Sequence, residues 1–182
     1  MCKVLVVVTI LTIGAAVPSQ TQPVTFVKVY VGADKLAHVV DAKGKDVAIP
    51  KEKEQAEVSE AKLSPDKQTA GWLMHQDNLG ESYSIPVGLV IYRAGKKRLL
   101  GDGLMIYGWC FVGQGEQIAM STGTVHGMTG QHLLLFETTT GRQLKEWNGP
   151  EDATPPEWAK GLRKYRRSFE TQPPKAGVGD PR

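Results

Sequence analysis

Apolar residues along this chain fall in short runs broken by turn residues, and the runs are too short and too closely spaced for long helices. Residues 25–31 (TFVKVYV) are β-branched and aromatic, which predicts a strand. Residues 36–41 predict a second strand, Lys43-Gly44-Lys45 a turn, and residues 47–49 the return strand, which Pro50 stops. Residues 51–62 (KEKEQAEVSEAK) carry both charge signs and one large apolar residue, Val58; they read as a solvated loop or a short surface helix without chemistry. From Leu63 the pattern becomes strand, turn, strand. Strands are expected over 69–74, 87–93, 97–100, 105–112, 117–121, 133–137 and 144–147. Turns are expected at Leu63-Ser64-Pro65-Asp66-Lys67, Ala94-Gly95-Lys96, Gly113-Gln114-Gly115 and Thr140-Gly141-Arg142. The uninterrupted runs Leu89-Val90-Ile91-Tyr92 and Leu133-Leu134-Leu135-Phe136 offer both faces of a sheet for burial, as when sheets stack face to face.

Two stretches look like copies of one unit. Residues 63–72 lie over residues 111–120 at an offset of 48, and the hairpin 90–96 lies over 136–142 at an offset of 46. A third hairpin, turning at Gly44-Lys45, resembles these ends. A period of about 46–51 residues with four short strands matches one blade of a propeller. At 182 residues the chain is too short for four complete blades.

Leu63-Ser64-Pro65-Asp66 before a short strand resembles the strand entry of WD40-like and TolB-type bacterial β-propeller repeats. The segment 133–144, ending at Trp147-Asn148-Gly149, is similar to the blade ending of WD40 repeats. Lys67 stands where those repeats usually carry glycine, Gly113-Gln114 replaces Pro-Asp in the second copy, and no Gly-His or Trp-Asp dipeptide is present. The resemblance covers residues 63–149. It implies blade-like antiparallel sheets and, by family habit, binding rather than catalysis, and it transfers no functional residue.

The expected fold class is therefore all-β: blade-like antiparallel sheets, an incomplete propeller or a sandwich, over residues 24–149, with a short C-terminal helix. That helix should start at Thr154-Pro155-Pro156-Glu157, which has capping-box spacing, and present Trp158 and Leu162 on one face. Residues 171–182 have the composition of a disordered tail.

Residues 1–19 change the picture by compartment. Lys3, the apolar stretch 4–17 and the small residues Gly14, Ala15 and Ala16 have the order of a secretory signal peptide, cleavable after Ala16 or Ser19. The alternative, an uncleaved anchor, would need about 20 apolar residues to span a bilayer. The mature chain is then expected to be soluble, in the periplasm or outside the cell. Cys2 falls in the signal, so the mature chain keeps Cys110 alone and has no intramolecular disulfide. Cys110 sits in an apolar strand and reads as a small buried hydrophobe.

The formal net charge is +3, and residues 160–182 hold seven Lys/Arg against two acids. Lys160, Arg163, Lys164, Arg166 and Arg167 interleave with Tyr165 and Phe169, a pattern that suits an anionic surface or a merely solvated tail. Export argues against nucleic acid as the partner.

Chemistry is sparse. The sequence holds no H-E-x-x-H, G-x-S-x-G, phosphate-loop or C-x-x-C pattern, and no cofactor is implied. The segments 75–84 and 122–132 occupy equivalent places in the two units and contain most of the candidate groups. If the units lie side by side, His75, Asp77, Glu81, Tyr83, His126 and His132 converge on one edge, as a small-ligand or divalent-metal site. The bland alternative is a pair of solvated loops with hydrogen-bonded histidines. Three functions follow as expectations: a non-enzymatic binding module, a metal-dependent or hydrolytic enzyme using these loops, or a structural subunit completed by homo-oligomerisation.

Overall fold

A computed structural model describes residues 24–78, 81–125 and 130–162. Residues 1–23 (expected to carry a signal peptide), His126, the tail from 163 onward and with it Arg163, Lys164, Arg166 and Arg167 lie outside the described residues. Among the described residues, eleven strands form three antiparallel sheets, followed by one short 3-10 helix, as the all-β reading requires. The first sheet is β1 (Phe26–Val31), β2 (Ala37–Asp41) and β3 (Asp46–Ile49). The second is β4 (Glu57–Leu63), β5 (Thr69–Asp77), β6 (Ser84–Arg93) and β7 (Lys96–Leu100). The third is β8 (Met105–Val112), β9 (Gln117–Gly123), β10 (Gly130–Glu137) and β11 (Gln143–Pro150). In each sheet the strands neighbour one another in chain order, and among the described residues no barrel closes.

The second and third sheets are built alike. Both are four-stranded meanders, and both carry a bulge in the first strand, between Ser59 and Lys62 and between Ile106 and Gly108. Strand alternation sends their side chains to opposite sides. Trp72, Met74 and Val90 pack with Phe26, Val39 and Ile49 of the first sheet. Leu73, Leu89 and Ile91 pack with Trp109, Ile118, Met120 and Leu134 of the third. The second sheet is thus covered on both faces, which is why its strands read as continuous apolar runs. Each such side chain contributes roughly 1.5–3 kcal/mol of burial. On the far face of the third sheet, Leu133 and Leu135 pack under Ala159 and Leu162.

The turn between β4 and β5 ties the layers together. Ser64 Oγ accepts the Thr69 amide at 2.9 Å, and Asp66 accepts the Gln68 amide at 3.0 Å and the Arg93 guanidinium at 3.1 Å. The Lys67 carbonyl accepts the Phe26 amide at 2.7 Å, and the Asp66 amide donates to the Gln114 carbonyl at 3.0 Å, so one turn bridges all three sheets. Burial works to raise the Asp66 carboxyl, but the Ser64 hydroxyl, the Gln68 amide and Arg93 outweigh it and hold the group below its ordinary value. Lys67 takes a left-handed conformation (φ 58°), which glycine adopts more readily; its counterpart Gly115 has φ 110°.

Two expectations are corrected. Residues 57–63 are a strand, not a loop or surface helix: among the described residues β4 pairs with β5 alone and buries Val58 while Glu57 and Glu60 are exposed, which is how an edge strand comes to read as polar. The C-terminal helix is of 3-10 type, Glu157–Leu162, so Ala159 and Leu162 at i, i+3 are buried, while Trp158 is only half-buried against the same cluster. Cys110 is half-buried against this helix, with its thiol pushed up by burial.

Candidate functional site

The two expected loops are shorter than the sequence suggested, because the strands run into them. His75 and Asp77 belong to β5 and His132 to β10. Glu81 lies in a bend whose amide donates to the Asn78 carbonyl at 2.9 Å, and the neighbouring Tyr83 is exposed. Asp77 and Glu81 face solvent. His75 and His132 are each held by groups outside the other's set, and among the described residues no three His, Cys, Asp or Glu side chains are gathered to hold a metal ion.

The His75 imidazole sits on the face of the second sheet that looks towards the third. Its Nε2 is 2.7 Å from Ser59 Oγ on β4, and its Nδ1 is 3.4 Å from Ser84 Oγ on β6 and 3.8 Å from Glu57 Oε1. Ser84 also donates to Glu57. Glu57 lies directly opposite His75 in the ladder, and Ser59 is one step along on the same face. Burial lowers the His75 pKa; Glu57, the Ser84 backbone and Glu60 oppose it without reversing it, so the ring is neutral at pH 7.

His132 has a different environment. Its Nδ1 is 2.9 Å from Thr122 Oγ1 and 3.3 Å from Asp102, and its Nε2 is 3.2 Å from Glu146 on β11. Thr122 is fully buried and donates to Asp102 at 3.1 Å, so it offers no exposed nucleophile. The Asn148 amide and the His132 ring hold Glu146 below the usual carboxylate range.

A third cluster was not singled out by the sequence. His38 on β2 is clasped by Asp34 at 3.1 Å and Asp46 at 3.1 Å, and it stacks on Tyr30 with ring centroids 4.9 Å apart; Tyr30 donates to Asp46. Asp34, then Asp46, raise the His38 pKa. The signal was present: the predicted hairpin around residues 41–45 puts Asp46 opposite Val40 and hence on the His38 face. Ser59 had no such signal, because it lay in a segment read as loop or helix.

On the other face of the second sheet, a half-open cavity of about 300 Å³ is lined by Met74, Gln76, Val87, Leu99 and Leu100, with Gly101 and Gly103 at its end. Leu99 stands at its lip, 53% exposed. A Cβ at Gly88 would meet Leu99 Cδ1 at 2.6 Å. Of the basic residues named for an anionic surface, Lys160 is described, and it is ion-paired with Glu157. No helix among the described residues is long and apolar enough to cross a membrane. No protein-family model and no curated protein matches the chain.

Proposed function

We propose that this chain is an exported binding module of the cell envelope or extracellular space, with a WD40-like arrangement of its sheets. The support is architectural: sheets stacked over apolar interfaces and tied by backbone hydrogen bonds make a rigid frame, and the cavity beside Leu99 opens on that frame. An apolar lip around a few polar groups, here the Gln76 amide and the backbone at Gly101, is the usual composition of a ligand pocket. The ligand class this favours is an extended apolar peptide segment, since β7 is an edge strand and the cavity lies beside it.

Two measurements test this. Mass analysis of the secreted chain should show loss of residues 1–16 or 1–19, and retention of the full chain inside the cell would overturn export. Immobilised secreted protein should retain an envelope peptide or protein that Leu99→Glu releases. Equal retention by wild type and Leu99→Glu would remove the cavity from the reading.

A further inference from the structure

The geometry points to a second activity on the opposite face of the same sheet: Ser59 and His75 form a nucleophile–base pair for the hydrolysis of small carboxylic esters, with Glu57 and Ser84 as positioning residues. Strand alternation places this pair away from the cavity, since Ser59 and His75 alternate with Val58 and Met74, which face the first sheet.

The distances suit the chemistry. A nucleophilic hydroxyl must lie within about 2.6–3.2 Å of its base; Ser59 Oγ is 2.7 Å from His75 Nε2. The base must in turn be oriented from its other nitrogen. Glu57 stands 3.8 Å from Nδ1, and the Ser84 hydroxyl, itself donating to Glu57, approaches Nδ1 at 3.4 Å. With Nδ1 carrying the ring proton, Nε2 is free to accept from Ser59. Ser59 is half-buried and Glu57 exposed.

The backbone supplies a further feature. The register jumps from Ser59 opposite Leu73 to Lys62 opposite Gly71, so Glu60 and Ala61 are left out of the ladder. Glu60, immediately after the serine, takes φ 49°, a left-handed conformation costly for a non-glycine residue. Such a bulge re-aims the preceding side chain, here Ser59.

The reaction balances without a cofactor. Ser59 Oγ attacks the ester carbonyl carbon as its proton passes to His75 Nε2. Collapse of the tetrahedral species breaks the bond to the alcohol oxygen, which leaves with that proton. Water then attacks the acyl-serine, gives a proton to Nε2, and the carbon–Oγ bond breaks with return of the proton to Oγ, releasing the carboxylic acid.

The test is covalent labelling of the full-length or secreted chain with a fluorophosphonate probe, beside hydrolysis of p-nitrophenyl acetate. One adduct should map to Ser59. Ser59→Ala should abolish labelling and hydrolysis. His75→Gln should slow both by about 100-fold or more, the usual weight of a general base. Glu57→Gln should shift the pH profile, which a merely structural role would not do. Absence of an adduct on Ser59 of the wild-type chain, or equal labelling in His75→Gln, would overturn the proposal and leave a hydrogen-bonded surface pair. Ser59→Ala is read by labelling and Leu99→Glu by retention of the envelope peptide, so loss of this activity and loss of the docking role are separate outcomes.

Discussion

Gly71→Ala probes the stacking of the second and third sheets with a single methyl group. Gly71 lies on β5 in the middle of a strand, where glycine ordinarily weakens pairing. A Cβ built there would meet Trp109 Cη2 at 2.8 Å and Cζ3 at 3.2 Å. Comfortable carbon–carbon contact is about 3.5–4.0 Å, so the methyl intrudes by roughly 0.7 Å. Trp109 has little room to yield: it is fully buried, set edge-on to Phe111 at 5.2 Å, and covered by the Lys62 ammonium 4.6 Å from its ring centre. Overpacking of this kind costs about 1–3 kcal/mol. Replacing glycine recovers about 0.5–1 kcal/mol by restricting the unfolded chain. The expected net loss is about 1–2 kcal/mol, read as a lower urea midpoint by circular dichroism. The decisive step is a double-mutant cycle with Trp109→Leu, which alone should cost about 3 kcal/mol through the cavity it leaves. In that background the added methyl enters free space, and Gly71→Ala should become neutral or stabilising. An equal cost in both backgrounds would refute the idea that Trp109 is what requires glycine at position 71.

Other outcomes follow from single positions. Lys67→Gly should stabilise the protein by about 0.5 kcal/mol, because relief of a left-handed backbone of about 1–2 kcal/mol exceeds the entropic cost of glycine; a fall in melting temperature would contradict this. Asp66→Asn should destabilise by about 1–2 kcal/mol by weakening the bonds to Ser64, Gln68 and Arg93. Because the Asp66 pKa is depressed on folding, its contribution is present above about pH 4 and lost as pH falls through the folded value; this acid-range loss should be absent from the stability profile of Asp66→Asn. In an NMR titration His38 should titrate above 6.5 and His75 below it. The His38 contribution to stability is then complete below pH 6.5 and lost as pH rises through its folded pKa, whereas protonation of His75 destabilises as pH falls; the reverse order of the two titrations would refute both environments.

Most strands and turns were legible in the sequence because each depends on neighbours along the chain. Alternation, β-branched runs and the turn residues at Ser64-Pro65-Asp66 and Ala94-Gly95 act within a few residues, and Ala94 and Gly95 do adopt the two positive φ values of a tight hairpin turn. Even the need for two covered faces showed in the uninterrupted runs at 89–92 and 133–136. What only the tertiary structure decided depends on partners far along the chain. β4 gains its strand character from pairing with β5, the C-terminal segment winds as a 3-10 helix where it packs on Leu133 and Leu135, and Gly71 is required by a tryptophan 38 positions away. Ser59 and His75 meet because the register sets Glu57 opposite His75, a pairing fixed by which apolar faces are buried and invisible to local pattern.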